Sequence, residues 1–567
     1  MRNKDIAKLL KLAGSLLELH DENEFKVRSF YASSFNIDRL KQPLIGLTES
    51  ELAQIQGIGK GIAGKIFEIT TKNTFKELQD LLEKTPKGVV AMLKVKGIGP
   101  KKVKSLWKDL HIESTEALLQ ACYQNKVASL KGFGEKIQEE IIDYLELVES
   151  SKGKFHFADV FEIALELEEK LKDILPSQIV RLSGDIPRKM EIVENMQFLV
   201  SSNDHLQTFE KIKKVDQLSQ NEKKSSPFIW NGVIRDTDIH VQIKLYLPEQ
   251  YESQWYIHSS SEKHLSEWAF DKISLFNFLK NNTFNSEKEI FEKLNWQPIP
   301  VEMREGLGEV TLAKNQQIPI LVNDQDLKGI LHNHTDYSDG TNTLTEMAVA
   351  CKEMGYEYVG ISDHSQSATY ASGLTEDKIF QQHKEIDELN AKLAPFKIFK
   401  GIESDILNDG SLDYPDDILK TFDFIVASIH SNLKMDIHKA TTRLIKAIEN
   451  PYTTMLGHPT GRLLLNRKAY PIDHKKVIDA CAANGVIIEI NADPWRLDLD
   501  WHWVPYAMNK GVMLSINPDA HEIEGYLNMQ FGVCVGRKGG LTKVFVFNAL
   551  GRDEVAKYLN NRIKSRT

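Results

Sequence analysis

Apolar residues between positions 3 and about 150 recur at helical intervals, with no strand-like alternation. Residues 3–20 set the pattern, placing Ile6, Leu9, Leu10, Ala13, Leu16 and Leu17 along one face. Beyond residue 150 the texture changes. "FADVFEIALELEEKLKDIL" (157–175) reads as an amphipathic helix, and the segment 177–202 has strand-like ends. "DIHVQIKLYLPEQY" (238–251) alternates like a half-buried strand. From about residue 325 strands and helices alternate. The strand candidates are "GILHNHT", "YEYVGISDH", "FKIFKGIES", "FDFIVASIH", "TTMLGHP", "GVIIEINAD" and "GVMLSINPDAH". Helices such as "TLTEMAVACKEMG" and "HKATTRLIKAIEN" separate them. About seven βα units predict a (β/α) barrel variant. "LTKVFVFNAL" (541–550) is an eighth strand or the start of a helix.

These shifts suggest four domains, at 1–88, 89–153, 154–322 and 323–567. A chain of 567 residues suits about three or four. The composition, 41% hydrophobic and 27% charged, is that of a globular protein with a sizeable core. The four cysteines, Cys122, Cys351, Cys481 and Cys534, form no CxxC pair. That suggests a reducing compartment and disfavours a thiolate zinc site. No apolar run reaches the roughly 18–20 residues of a membrane span. "MRNKDIAKLLKLAG" lacks the apolar centre of a signal peptide, so a cytoplasmic protein without a membrane partner is expected.

A net charge of −9 does not advertise a nucleic-acid binder. Charge is local, however. Residues 93–108 carry Lys94, Lys96, Lys101, Lys102, Lys104 and Lys108 and no acid. They overlap a pattern that occurs three times: "IQGIGKGIAGKI" (55–66), "VKGIGPKKVKSL" (95–106) and "LKGFGEKIQEEI" (130–141). Paired glycines allow a tight interhelical turn and a close approach to a surface. The N–H groups opening the second helix favour an anion. Gly57, Gly59, Lys60, Gly97, Gly99, Lys101 and Lys102 are therefore candidate contacts to the DNA backbone, which position a strand without reading its sequence. Tight turns without a ligand are the competing reading. The third copy, with Glu135 beside Lys136, suits phosphate least. The three resemble helix-hairpin-helix motifs of DNA repair proteins.

Potential ligands gather at the strand ends of the last 240 residues. His332 and His334 end the first strand, and Asp339 lies in the loop after it. His364, Glu403, His430 and His458 end the next four, and Asp519 and His521 end the seventh. Barrel active sites form at the C-terminal ends of strands, so nine groups converge on one mouth. His383, His438, His474 and His502 fall outside this pattern and read as ordinary core or surface residues.

The motifs "HNHTDYSDG", "ISDHS", "GIESDIL", "SIHS", "GHPTGR" and "PDAH" closely resemble the PHP (polymerase and histidinol phosphatase) domain. The resemblance implies three divalent ions. One takes His332, His334, Glu403 and Asp519. A second shares Glu403 and adds His430 and His458. The third takes Asp339, His364 and His521. Mixed nitrogen and oxygen ligands suit Mn²⁺, Zn²⁺ or Fe²⁺ better than Mg²⁺. Arg462 and Arg496 are candidates to clamp phosphate, with a structural ion pair as the alternative for each. Asp363 and Asp413 read as supporting or capping residues.

Helical hairpins ahead of the middle segment, and "FEKLNWQPIPVEMREGLGEV" (291–310), resemble family X DNA polymerases and their thumb. That family's palm carries Gly-Ser, two arginines, Asp-x-Asp and a third Asp, which hold two Mg²⁺ ions. Here Gly184 and Arg188 remain, but Asp185 and Pro187 replace Ser and the first Arg. The strand alignment puts Asn195 and Gln197 at Asp-x-Asp and Gln242 at the third position. The Thr-Gly turn is altered to "YIHSSSEKH". Three amides bring no charge to two adjacent dications, and charge stabilisation is central to phosphoryl transfer. A shifted alignment would offer Glu191 and Glu194, with Asp236 and Asp238, instead.

The expected architecture is a multidomain α plus α/β chain. Helix-hairpin-helix domains lead, a nucleotidyltransferase-like palm and thumb follow, and a distorted (β/α)7 PHP barrel ends it. The expected function is a metal-dependent 3′→5′ exonuclease or phosphodiesterase in DNA repair, with polymerase activity lost. Its partner would be DNA, as primer-template, gapped or damaged ends, and the protein a monomer. The alternatives are a small-molecule phosphomonoesterase of the histidinol-phosphatase type and a non-catalytic DNA-binding scaffold.

Overall fold

Helices Asn3–Leu19 and Glu24–Asp38 begin the chain, and the first buries Ile6, Leu10, Ala13, Leu16 and Leu17. The computed structural model describes residues 3–40, 42–95 and 97–564, so Lys96 lies outside the described residues. Contacts divide the chain into two units, ending and starting at Lys152 and Gly153. In the first, a single hydrophobic core runs from Ile6 to Leu145. The segments expected as separate domains, 1–88 and 89–153, thus fold onto one core. The His20 and Trp107 rings, 5.6 Å apart, join them.

The second unit starts with helix Phe157–Ile174, whose buried face (Val160, Ala164, Leu167, Leu171) covers a five-stranded sheet. Its strands are β1 (Val180–Ser183), β2 (Met196–Ser201), β3 (Leu218–Gln220), β4 (Ile229–Ile234) and β5 (His240–Tyr246). The order is β1-β2-β5-β4-β3, with β2 and β5 parallel. The alternating segment 238–251 is strand only to Tyr246. Pro248, without an N–H, opens the helix Pro248–His258 instead. A separate helical core follows, from Tyr256 to Leu321.

The barrel is built from β6 (Gly329–Ile330), β7 (Tyr358–Ile361), β8 (Lys397–Asp405), β9 (Phe424–Ser428), β10 (Met455–Leu456), β11 (Ile487–Asn491) and β12 (Leu514–Asn517). All pairings are parallel and follow chain order. Past the strand ends Asn333 bridges to Ala520, and His334 N–H donates to Ala520 O at 2.8 Å, drawing the first and last strands together. Residues 541–550 add no eighth strand. They form two 3₁₀ turns, and buried Asn548 accepts from Ile516 N–H while donating to Gly329 O and Ile516 O. A side chain takes the hydrogen bonds a neighbouring strand would make.

Ion pairs weld the sheet and helical core to the barrel. Arg188 holds Glu305 bidentately at 2.8 and 2.6 Å, and Lys538 Nζ reaches the same carboxylate at 2.6 Å. Arg537 pairs with Glu302 at 2.6 Å.

Candidate metal centre

All nine histidines and carboxylates expected as ligands meet at the C-terminal mouth of the barrel. The extended backbone after β6 sends His332 and His334 inward, while Asn333 between them donates to Gly360 O at 2.7 Å. Glu403, fully buried on β8, is the hub. Its Oε1 lies 2.9 Å from His458 Nε2, 3.2 Å from His430 Nε2 and 3.3 Å from His332 Nε2. Its Oε2 lies 2.9 Å from His364 Nδ1. Asp519 Oδ1 is 3.0 Å from His334 Nε2. Asp339 Oδ1 is 3.4 Å from His521 Nε2 and 3.7 Å from His364 Nε2. Asp519 is held at a positive φ of 52°. For a residue with a Cβ that is strained backbone, of the kind that gathers at functional sites.

Supporting groups set the tautomers. His332 Nδ1 donates to Glu489 Oε1 at 2.7 Å, His430 Nδ1 to Asp405 Oδ1 at 2.5 Å, and His521 Nδ1 to Asp519 O at 2.9 Å. These oxygens accept, so each Nδ1 carries a proton and Nε2 is the nitrogen that faces the cluster. Glu489 and Asp405 were not singled out from the sequence. Yet a lone carboxylate inside the apolar run "VIIEI" is a readable signal. Asp363 accepts from Thr335 N–H and Oγ1–H and from Gln382 Nε2, and Asp413 accepts from Ser367 N–H. Both are supports, not ligands.

The arrangement fits divalent cations. His332 Nε2, His364 Nδ1 and Glu403 Oε2 are buried and, though close to one another, not aligned for a hydrogen bond, an arrangement metal ligation explains. Three sets of ligand atoms converge: His334, Asp339, His364 and His521; His332, His334 and Asp519; and His364, Glu403 and His430. His334 and His364 each belong to two sets, so the geometry shares ligands more than the family partition does. Electrostatics agree. Burial opposes the charge of Glu403, yet His430, His332 and His364 hold its carboxyl well below the usual range. Burial likewise opposes the charge of Asp519, and His332, His334 and Arg496 hold it well below. Burial, with His521 and His364 beside it, pushes His334 down to about 3, a neutral imidazole ready to ligate.

The two arginines part company. Arg496 Nε lies 3.3 Å from Asp519 Oδ2, at the rim of the cluster. Arg462 departs from the expected phosphate clamp. Its Nη1 donates to Asp500 at 2.7 Å, its Nη2 to Glu191 at 2.5 Å and to Leu497 O, and its Nε to Arg496 O at 2.8 Å. Its partner Glu191 stands 271 residues earlier, beyond the reach of local sequence reading.

In the five-stranded sheet, Gln197 and Gln242 are direct cross-strand neighbours on β2 and β5. Asn195 and Gln242 line one cavity of about 720 Å³. Gln242 Nε2 donates to Asn231 Oδ1 at 3.0 Å. The alternative acids lie elsewhere: Glu191 on Arg462, Glu194 on Lys154 at 3.1 Å, and Asp236 and Asp238 in the exposed β4–β5 turn. Among the described residues no carboxylate cluster forms here.

In the first unit, Gly57 and Gly97 both take φ of 89°, a turn open to glycine, and Gly59 and Gly99 precede helices Lys60–Lys72 and Pro100–Asp109. Lys60 and Lys101 are exposed there. The third copy differs, with Gly134 also at positive φ, 78°.

Three family models match the chain: a helix-hairpin-helix domain over residues 1–75, a SAM-like helix-hairpin-helix tandem over 89–146, and a PHP domain over 331–493. "Probable phosphatase" proteins of Thermoanaerobacter sp. (strain X514) and Caldanaerobacter subterraneus subsp. tengcongensis match only part of it. They are 30% and 33% identical over 38% and 28% of this chain, and over 88% and 60% of their own lengths. The DNA polymerase/3′-5′ exonuclease PolX of Bacillus subtilis (strain 168) is 32% identical over 575 aligned residues, 99% of either chain. With helical hairpins, sheet and metal-dependent barrel in one order from end to end, the chain belongs to the PolX family.

Proposed function

We propose that this chain is a DNA repair 3′→5′ exonuclease that works through its PHP barrel and no longer polymerises. The observation that carries the proposal is the ligand set gathered around Glu403. It is joined by the alignment that puts Asn195, Gln197 and Gln242 at the family's acidic palm positions, where Gln197 and Gln242 pair across the sheet. His332, His334, Asp339, His364, Glu403, His430, His458, Asp519 and His521 would hold three ions, Mn²⁺, Zn²⁺ or Fe²⁺. Bound there, such ions supply an activated water and neutralise charge at phosphorus. The chain's own groups do the rest. Glu489, Asp405 and the Asp519 carbonyl keep three imidazoles in the ligating tautomer. Arg496 faces the phosphate from the rim, and the Gly57 and Gly97 hairpins with Lys60, Lys101 and Lys102 hold the DNA backbone. In the palm, the uncharged amides and the sequestration of Arg188 by Glu305 leave little to bind two Mg²⁺ ions or a triphosphate.

Among the described residues no helix is long and apolar enough to cross a membrane. A phosphomonoesterase would not need the 320 residues ahead of the barrel, so the DNA reading is preferred. The test is a variant pair. His334→Ala and Asp519→Asn should abolish 3′→5′ degradation and leave salt-sensitive DNA binding intact. Degradation surviving both, or binding lost with it, would refute the assignment.

A further inference from the structure

Tyr370 lies on the loop after β7, six residues beyond His364. Its ring centroid is 6.0 Å from the His364 ring and 6.5 Å from His430, tilted at 59° and 68°. It therefore stacks on neither imidazole, and the residue stays 69% exposed. The turn Thr369–Ala371 that bears it is fixed. Ala368 and Ala371 on either side are 0% and 1% exposed. Ser365 N–H donates to Glu403 O at 3.0 Å, and Leu374 N–H returns to His364 O at 2.8 Å. Ser367 Oγ donates to Asp405, the carboxylate that orients His430, at 2.9 Å. Gly373 closes the loop so tightly that a Cβ there would lie 1.8 Å from Ser365 O. Among the described residues the Tyr370 hydroxyl makes no hydrogen bond. The fold fixes the turn beside the ligand cluster, and the ring it carries stays open to solvent.

An exonuclease must grip any terminal nucleotide. A fixed, exposed aromatic face does so without reading sequence, because every base has a π-face. The charges that reach this ring are Asp339, Glu403 and Asp405 against Arg496, so an anionic partner is disfavoured on the ring and an uncharged base suits it, while Arg496 offers a cation for the phosphate. We propose that Tyr370 is a positioning residue that stacks on the base of the 3′-terminal nucleotide and so sets its phosphodiester over the ligand cluster. This rests on the exonuclease reading above.

The test compares wild type, Tyr370→Ala and Tyr370→Phe on oligonucleotides ending in an ordinary nucleotide or in a base-free tetrahydrofuran residue. On ordinary ends Tyr370→Ala should raise KM by about tenfold with kcat little changed, and Tyr370→Phe should match wild type. On base-free ends the wild type should itself be as weak as Tyr370→Ala, and the substitution should cost nothing further. An unchanged KM for Tyr370→Ala, an equal penalty on both ends, or a Phe variant as impaired as Ala would overturn the proposal. Wild type that cuts neither end would overturn the exonuclease reading itself.

Discussion

Glu489→Gln is a one-atom change whose consequence can be worked from the structure. Four donors converge on the buried carboxylate. His332 Nδ1 (2.7 Å) and Asn517 Nδ2 (3.2 Å) reach Oε1, while His458 N–H (2.8 Å) and Asn491 Nδ2 (3.2 Å) reach Oε2. An amide offers one acceptor and turns an NH₂ towards two of those donors. Asn491 cannot rotate to accept without losing its bond to Asp519 Oδ2 at 3.1 Å. Two buried donors are left unpaired at ~1–3 kcal/mol each, so the variant should lose ~2–6 kcal/mol of stability. The charge behind His332 also disappears, which should weaken metal binding by about 10–100-fold. Denaturant unfolding of the metal-free protein measures the first effect. The Mn²⁺ concentration for half-maximal 3′→5′ degradation measures the second. A variant with wild-type midpoint and wild-type Mn²⁺ dependence would refute the role given to Glu489.

Three other outcomes are expected. Burial pushes Lys538 down to about 8 from 10.5. Between those pH values the unfolded chain holds a proton that the folded chain has released, so stability should rise with pH by ~3 kcal/mol relative to Lys538→Met; a flat difference in unfolding free energy would contradict this. Lys101→Ala should weaken DNA binding equally on unrelated sequences and reduce the log–log salt slope by about 1, read by fluorescence anisotropy. Glu305→Gln should loosen Arg188 and Lys538 together, lowering the unfolding midpoint without abolishing degradation; a catalytic loss at unchanged stability would contradict the structural role.

The barrel was legible because ligands recur at one place in a repeating unit, and that regularity survives without coordinates. H-x-H on an extended chain, with His or Glu ending strands two to five and Asp and His ending the seventh, pointed to one mouth. The pairing of Gln197 with Gln242 came only from the structure, since it depends on the parallel register of β2 and β5. What escaped depends on distance along the chain. Arg462 looked like a phosphate ligand until Glu191 and Asp500 claimed it. The two helical segments looked independent until one core joined Ile6 to Leu145. Residues 541–550 read as a strand or a helix start, but they keep only a single bridge, Val546 to Leu514, beside the bonds Asn548 makes with its amide.

The most direct measurement is a single primer assay. A 5′-labelled primer annealed to a longer template is incubated with the full-length protein, Mn²⁺ and all four dNTPs, beside a metal-free control. The account predicts a metal-dependent ladder of shortened primers and no extension. Extension past the original 3′ end would contradict the reading of Asn195, Gln197 and Gln242, and an unchanged primer would contradict the exonuclease.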